Sequence, residues 1–254
     1  MILGIDVGNT NIVAALMDEN GVHSVHRYDT LKGENASYHS IHLCDLAKKK
    51  CVEGIIISSV VPEINDYLKE VCLNEFGIKP LFVSADLQTG LDIQYDNPQK
   101  LGADLICGAV GAVSKYGSPV IVVDVGTATT FSVVNEKNQY LGGVISPGPL
   151  TSIKTLASST SQLPEVDFEM MDKAVGTNTA DCIKIGVFNA HRFLIDSMVE
   201  NIQNSIALKN AVVVATGGLA KKIIEKSKHP IRYDKDIIFE GLYKIYKMNQ
   251  TAKC

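Results

Sequence analysis

The chain has 254 residues, 46% of them hydrophobic and 20% charged, with 24 Lys and Arg against 28 Asp and Glu for a formal charge of −4. That much apolar sequence can bury a substantial core, which excludes a disordered chain, and the acidic balance argues against a dedicated nucleic-acid binder. Trp is absent and aromatics are 6% of the residues, so an aromatic-rich binding surface has little support.

In chain order, residues 2–7 (ILGIDV) read as a buried strand and 11–17 (NIVAALM) as a second, joined by a turn at Gly8-Asn9-Thr10. A third strand follows the hairpin dipeptide Asn20-Gly21. Residues 37–50 have helical character, 54–61 (GIIISSVV) form an apolar β-branched run suited to an interior strand, and Pro62 opens a helix. A strand at 80–85, a loop at 92–98 and a helix over 99–116 complete the first half. Residues 120–126 (VIVVDVG) then repeat the type pattern of 2–8 (ILGIDVG), and TTFSVV at 129–134 matches NIVAAL at 11–16. Asp6 aligns with Asp124 and Gly8 with Gly126, an offset of 118. Further on, AVVVATGG at 211–218 echoes GIIISSVV, a long helix covers about 179–207, and a short one closes the chain near 237–247.

An internal repeat governs the whole reading. It predicts a duplicated α/β protein with an N-terminal half at 1–117, a C-terminal half at 118–254, and a cleft between them onto which the equivalent turns face. The N-terminal MILGIDVGNTNIV lacks a basic n-region, and no run of 18 apolar residues occurs, so neither a signal peptide nor a membrane span is expected. The cysteines are dispersed without a CxxC pair, which points to a reducing cytoplasm. The pairs His23/His26 and His39/His42 have no cysteine or acid at zinc spacing, and zinc is not expected. Lys48-Lys49-Lys50 and Lys221-Lys222 are expected to be solvated helix faces.

Chemistry is concentrated at the turns. Asp6 ends an apolar strand, where a bare carboxylate would be costly, so a metal ion or an ordered water is its expected companion. Gly8 gives room for a phosphate, and Asn9, Thr10 and Asn11 supply neutral donors, the makings of a phosphate-binding hairpin or of an ordinary Asx-rich turn. Asp124-Val125-Gly126-Thr127-Ala128-Thr129-Thr130 repeats the arrangement with three hydroxyls. Thr216-Gly217-Gly218 starts a helix and suits an anion, or equally a close helix–strand contact. Asp104, an acid in an otherwise apolar helical stretch, reads either as a general base or as a helix-start Asp.

Taken together, IDVGNTN (5–11), SSVVP (58–62), YDNP (95–98), GAD (102–104), DVGTATTF (124–131), LGGVISPG (141–148), GTNT (176–179) and TGGLA (216–220) make the chain resemble a type III pantothenate kinase. That family belongs to the superfamily of acetate and sugar kinases, actin and heat-shock chaperone ATPases, so the resemblance implies actin-like, ribonuclease-H-like halves. It also implies ATP-dependent phosphorylation of pantothenate at the entry to coenzyme A synthesis, with Mg²⁺, a monovalent cation such as K⁺ or NH₄⁺, and a homodimer that engages neither nucleic acid nor membrane. By position, the ATP loop corresponds to Asp6, Val7, Gly8, Asn9, Thr10, Asn11, Ile12 and Val13, with Thr127 a further ATP contact. Asp104 corresponds to the catalytic proton acceptor, Asp6 to a water-mediated Mg²⁺ ligand and Asp124 to the K⁺ site. Tyr95, Gly102, Ala103, Asp104, Leu105 and Thr179 correspond to the pantothenate site, with Leu105 standing where the family pattern carries arginine. A kinase of another hydroxylated acid, or a non-catalytic nucleotide-binding regulator on the same fold, is the alternative.

Overall fold

The computed structural model describes residues 1–33, 35–48 and 50–251; Lys49 of the lysine run and Cys254 lie outside them. The chain forms two units. One holds Met1–Gly117, Asn138–Tyr140 and the residues from Asp236 onward, and the other holds Ser118–Lys137 and Leu141–Lys235.

The first unit is built on β1 (Ile2–Val7), β2 (Asn11–Asp18), β3 (Gly21–Asp29), α1 (Ala36–Ala47), β4 (Gly54–Ser59), α2 (Asn65–Phe76), β5 (Leu81–Phe82), β6 (Asp92–Ile93) and α3 (Ala103–Tyr116). Its sheet runs β3-β2-β1-β4-β5, antiparallel through the hairpins and parallel from β1 to β4 and β5. The second unit holds β7 (Val120–Val125), β8 (Ala128–Val134), most of β9 (Gln139–Pro147), α4 (Pro149–Ser159), α5 (Thr179–Ser205), β10 (Val212–Thr216), α6 (Ala220–Ile224) and β11 (Ile231–Tyr233). The closing helix α7 (Ile237–Thr251) belongs to the first unit.

The second sheet runs β11-β10-β7-β8-β9-β6, its first five strands the first order over again, with β7 antiparallel to β8 and parallel to β10 and β6 parallel to β9. The 118-residue offset carries β1 onto β7 and β3 onto β9 without a shift of bounds. β9 was not among the expected strands, because LGGVISPG has too few β-branched residues to read as one, but the offset applied to β3 would have found it. The α4 helix, with Pro149 in its first turn, was likewise not expected. Elsewhere the expected elements shorten. The helix of 99–116 starts at Ala103, after a single 3-10 turn at Pro98–Lys100 and Gly102 at the N-cap. The strand of 80–85 keeps two residues, and the helix opened by Pro62 begins as a 3-10 turn, Pro62–Ile64.

Alternation along the strands sorts the first unit into layers. Leu3, Ile5 and Val7 of β1, with Ile55 and Ile57 of β4, join one core with Leu43, Leu68 and Val71 of α1 and α2. The opposite face meets α7, where a Cβ at Gly4 would touch Leu242 at 3.4 Å and one at Gly54 would run into the Tyr246 ring. α3 and α7 approach backbone to backbone. A Cβ at Gly111 would land on the Ile237 carbonyl, and one at Gly241 would land on the Cys107 carbonyl and lie 3.0 Å from its Cα. The core of the second unit gathers Ile121, Val123, Phe131 and Val213 under Phe188, Ile195 and Val199 of α5. Among the described residues, no helix is long and apolar enough to cross a membrane, and Cys44, Cys51, Cys72, Cys107 and Cys182 are free thiols.

His39 and His42, which share α1, pack with His26 and Tyr28 of β3. One of the rings of His26 and His42 donates to the other across 2.9 Å, and Tyr28 stacks on His42 with centroids 4.2 Å apart. His39 is fully buried with neither ring nitrogen hydrogen-bonded. Burial holds His39 below the ordinary imidazole range; His42 is lowered first by burial and then by His26.

Two outcomes follow from this packing. Gly241→Ala should destabilise the protein by about 1–3 kcal/mol, read as a lower urea midpoint, because neither helix backbone can yield. A midpoint equal to that of the parent would mean that α7 can shift outward freely. The histidines give a pH dependence. Their folded forms stay neutral below the unfolded value of about 6.5, so their contribution is complete above it and falls as acid protonates the unfolded chain. Tm should therefore drop on acidification from about pH 7.5 to 5.5, and drop less in His39→Leu. Equal losses in the two proteins would remove His39 as the source.

Candidate active site

Asp6 is the last polar group before β1 gives way to its turn, and it is half-buried. The turn is closed by Gly8, whose N–H donates to the Asn11 carbonyl at 3.0 Å. A Cβ there would sit 3.2 Å from that same oxygen, so glycine serves turn closure as much as access, and its own N–H is already engaged. Thr30, just past β3, holds the turn from outside. Its N–H donates to the Thr10 carbonyl at 3.0 Å and its Oγ1 to the Gly8 carbonyl at 2.7 Å. Asn9 and Thr10 remain exposed at the tip, while Ile12 is buried. Thr30 was absent from the sequence-derived site. The repeat carried its signal, since the offset places Gly148 at the equivalent position.

The parallel register pairs Asp6 with Ser58 of β4. Side chains of paired residues in neighbouring strands share a face, and Ser58 Oγ donates to Asp6 Oδ1 at 3.0 Å. Ser58 figured in the SSVVP motif without a role. Cys107 of α3 is fully buried, and its thiol is pushed well up by burial and then by the negative charges of Asp6 and Asp104. Both carboxylates thus act on one buried thiol, one from the end of a strand and one from the start of a helix.

Asp104 lies in the first turn of α3, after Gly102 at the N-cap, and its Oδ1 accepts the N–H of Leu105 at 2.8 Å. The carboxylate folds back toward the helix start, where a Cβ at Gly102 would strike it. Burial raises its pKa above the ordinary carboxylate value, while the main-chain N–H groups of Leu105 and of Asp104 itself pull it down. The side chain thus accepts a first-turn N–H, as a helix-start aspartate does, and its proton affinity is raised. Ala103 is buried, Leu105 half-buried and Tyr95 38% exposed.

In the second unit Asp124 ends β7, half-buried. Its turn is one residue shorter than the first, with the Gly126 N–H donating to Ala128 at 2.9 Å. The Thr127 carbonyl accepts from the Gly148 N–H at 2.9 Å and from Thr151 Oγ1 at 2.6 Å, so the start of α4 grips this turn as Thr30 grips the other. Gly148 has no room for a side chain, because a Cβ would strike the Gly126 carbonyl. Gly217, at φ +96°, sits against the Val125 carbonyl and 2.7 Å (from its Cβ position) from Asp124 Oδ1, so TGG packs on the aspartate turn. Thr129 Oγ1 is buried without a partner.

Thr179 begins α5 beside its N-cap, Asn178, whose side chain accepts the Asp181 N–H at 2.9 Å. It borders a cavity of about 420 Å³ with Ser152, Leu156, Cys182, Ile183 and His191. Of the residues read as a pantothenate site, Thr179 therefore lies in the second unit, while Tyr95, Gly102, Ala103, Asp104 and Leu105 lie in the first. Among the described residues, no three His, Cys, Asp or Glu side chains form a metal-ligand set.

Several known proteins are similar to this chain. The chain is 38% identical to the type III pantothenate kinase of Shouchella clausii, over 98% of its own length and all of that protein, and 40% identical to that of Halalkalibacterium halodurans, over 98% and all. Among solved structures, a conserved putative Baf family transcriptional activator from Campylobacter jejuni superposes with a TM-score of 0.60 at 22% identity, covering 98% of this chain and 99% of that one. A ROK family glucokinase from Streptomyces griseus, solved with glucose and AMPPNP, gives 0.52 at 13%, covering 98% and 99%. At these identities the two structures share the fold alone, that of the actin-like ATPases and sugar kinases. The family model for type III pantothenate kinase matches residues 2–201, and with the full-length relatives it places this chain in the type III pantothenate kinase family.

Proposed function

We propose that this chain transfers the γ-phosphoryl group of ATP to pantothenate, forming 4'-phosphopantothenate at the entry to coenzyme A synthesis. The observation that carries this for a member of the family is a half-buried carboxylate, Asp104, fixed in the first turn of α3 by the N–H of Leu105, in the same unit as Asp6 at the end of β1. A phosphoryl transferase needs one carboxylate for the metal–nucleotide and another to take the acceptor's proton, with little covalent chemistry besides.

In this reading the turn from Asp6 to Val13 holds phosphate oxygens through exposed Asn9 and Thr10, with Thr127 as a further nucleotide contact. Mg²⁺ takes one or two carboxylates and completes its shell with phosphates and water, so a lone Asp6 suits it. When bound, Mg²⁺ neutralises phosphate charge. Asp104 accepts the proton of the pantothenate hydroxyl as the phosphoryl group departs. Its raised pKa makes it a better proton acceptor than a solvated aspartate, and its contact with the N–H of Leu105 fixes its direction. Tyr95, Gly102, Ala103, Leu105 and Thr179 are assigned to the acceptor.

A monovalent cation is assigned to Asp124. Support comes from the oxygen-rich corner at Gly217, where Asp124 Oδ1 and the Val125 carbonyl both border the same point, the donor type that K⁺ or NH₄⁺ takes. Homodimerisation and a cytoplasmic setting belong to the same proposal. Leu105, half-buried where the family pattern carries arginine, favours one second reading, a kinase of another hydroxylated acid. Coupled ADP release with pantothenate and with a panel of such acids separates the two.

Asp104→Asn should fold and bind ATP, yet turn over about 10²- to 10⁴-fold more slowly. The acid limb of the parent's pH profile should lie above the ordinary value of about 3.9, since activity needs the ionised carboxylate and is lost as pH falls through the raised pKa. Unchanged turnover in the variant would reject Asp104 as the base. Activity should rise when K⁺ or NH₄⁺ replaces Na⁺, and Asp124→Ala should lose that response. Equal rates in all three salts would exclude the cation site.

A further inference from the structure

Asp6 is held from behind. Ser58 lies directly across the parallel ladder from it, fully buried, and its hydroxyl has a single proton, which goes to Asp6 Oδ1 at 3.0 Å. Hydroxyl and carboxylate thus meet from two strands that lie far apart in sequence.

This contact has a consequence at Asp6. A carboxylate at a strand end can rotate about its last bond, and a ligand that bridges it to a phosphate needs one orientation. A buried donor on Oδ1 selects one rotation. A serine kept in the dry interior of an otherwise isoleucine-rich strand (Ile55, Ile56, Ile57) costs stability unless its hydroxyl is bonded. We infer that Ser58 is a positioning residue that fixes the Asp6 carboxylate for the metal–nucleotide complex. The inference rests on the assignment of Asp6 to Mg²⁺–ATP.

The test is calorimetric titration of the whole protein with ATP, with and without Mg²⁺, alongside steady-state kinetics. In the parent, Mg²⁺ should tighten ATP binding. Ser58→Ala should lose about ten- to a hundredfold of that Mg²⁺-dependent gain while binding metal-free ATP as before. Its KM for Mg²⁺–ATP should rise with KM for pantothenate unchanged. A purely structural serine would lower Tm and disturb both substrates alike, and an unchanged Mg²⁺ gain in a folded Ser58→Ala overturns the inference. Should Ser58→Ala not fold, Ser58→Cys fills the same space with a weaker donor and is read in the same way. Asp6→Asn separates the two levels. If it leaves the Mg²⁺ gain intact, the assignment of Asp6 has failed; if it abolishes the gain while the Ser58 variants do not, only the role of Ser58 has.

Discussion

A carboxylate placed at the carboxyl end of a buried, central strand is the constraint around which the first unit is arranged. The rest of β1 is apolar or glycine and buried, and its neighbours β2 and β4 are as dry along most of their length. An unpartnered charge at that position would cost several kcal/mol. The fold keeps it by ending the strand there, by opening a glycine turn immediately after it, and by setting a serine hydroxyl beside it on the parallel neighbour. The second unit meets the same demand at Asp124 with the same sheet order, a turn one residue shorter, and Gly217 in place of a side chain against the carboxylate.

The residue just past the third strand of each sheet secures the turn that carries the acid. Thr30 does so with a main-chain and a side-chain bond, and Gly148 with its N–H at the start of α4, where Thr151 adds a hydroxyl. Hairpin turns of this type have few internal bonds, so without an outside grip their tips would sample many conformations, and the phosphate site proposed at the first turn needs one. The two grips differ in chemistry but not in place, as expected of a duplication whose halves have since specialised.

Asp104 shows how one position serves two ends. The first turn of a helix favours an acid through its unpaired N–H groups, which lowers the carboxyl pKa, while burial under the sheet raises it. Burial is the larger effect here. The helix that carries this acid is anchored by contacts without side chains, Gly111 and Gly241, so the carboxylate stands on a rigid support. Rigidity of that kind would serve the proton acceptance proposed for Asp104, since proton transfer is sensitive to displacements of a fraction of an ångström.

The sequence by itself determined the strands and their duplication, because alternation and β-branched runs are local and a repeat is visible wherever the same type pattern returns. It also located the two acid turns and Asp104, since a charge inside an apolar segment stands out without any structure. It did not reveal β9, where glycines mask the pattern, nor the short β6 inside the stretch read as a loop, nor β11, nor the return of α7 to the first unit, nor the pairings of Ser58 with Asp6 and of Thr30 with Gly8. Those depend on sheet register and on which helix covers which face, quantities set by burial of the whole core rather than by any one segment. The histidine cluster of α1 and β3 belongs with them: HxxH spacing brings His39 and His42 near each other on a helix, but only packing decided that His39 would be buried without a partner while His42 met His26.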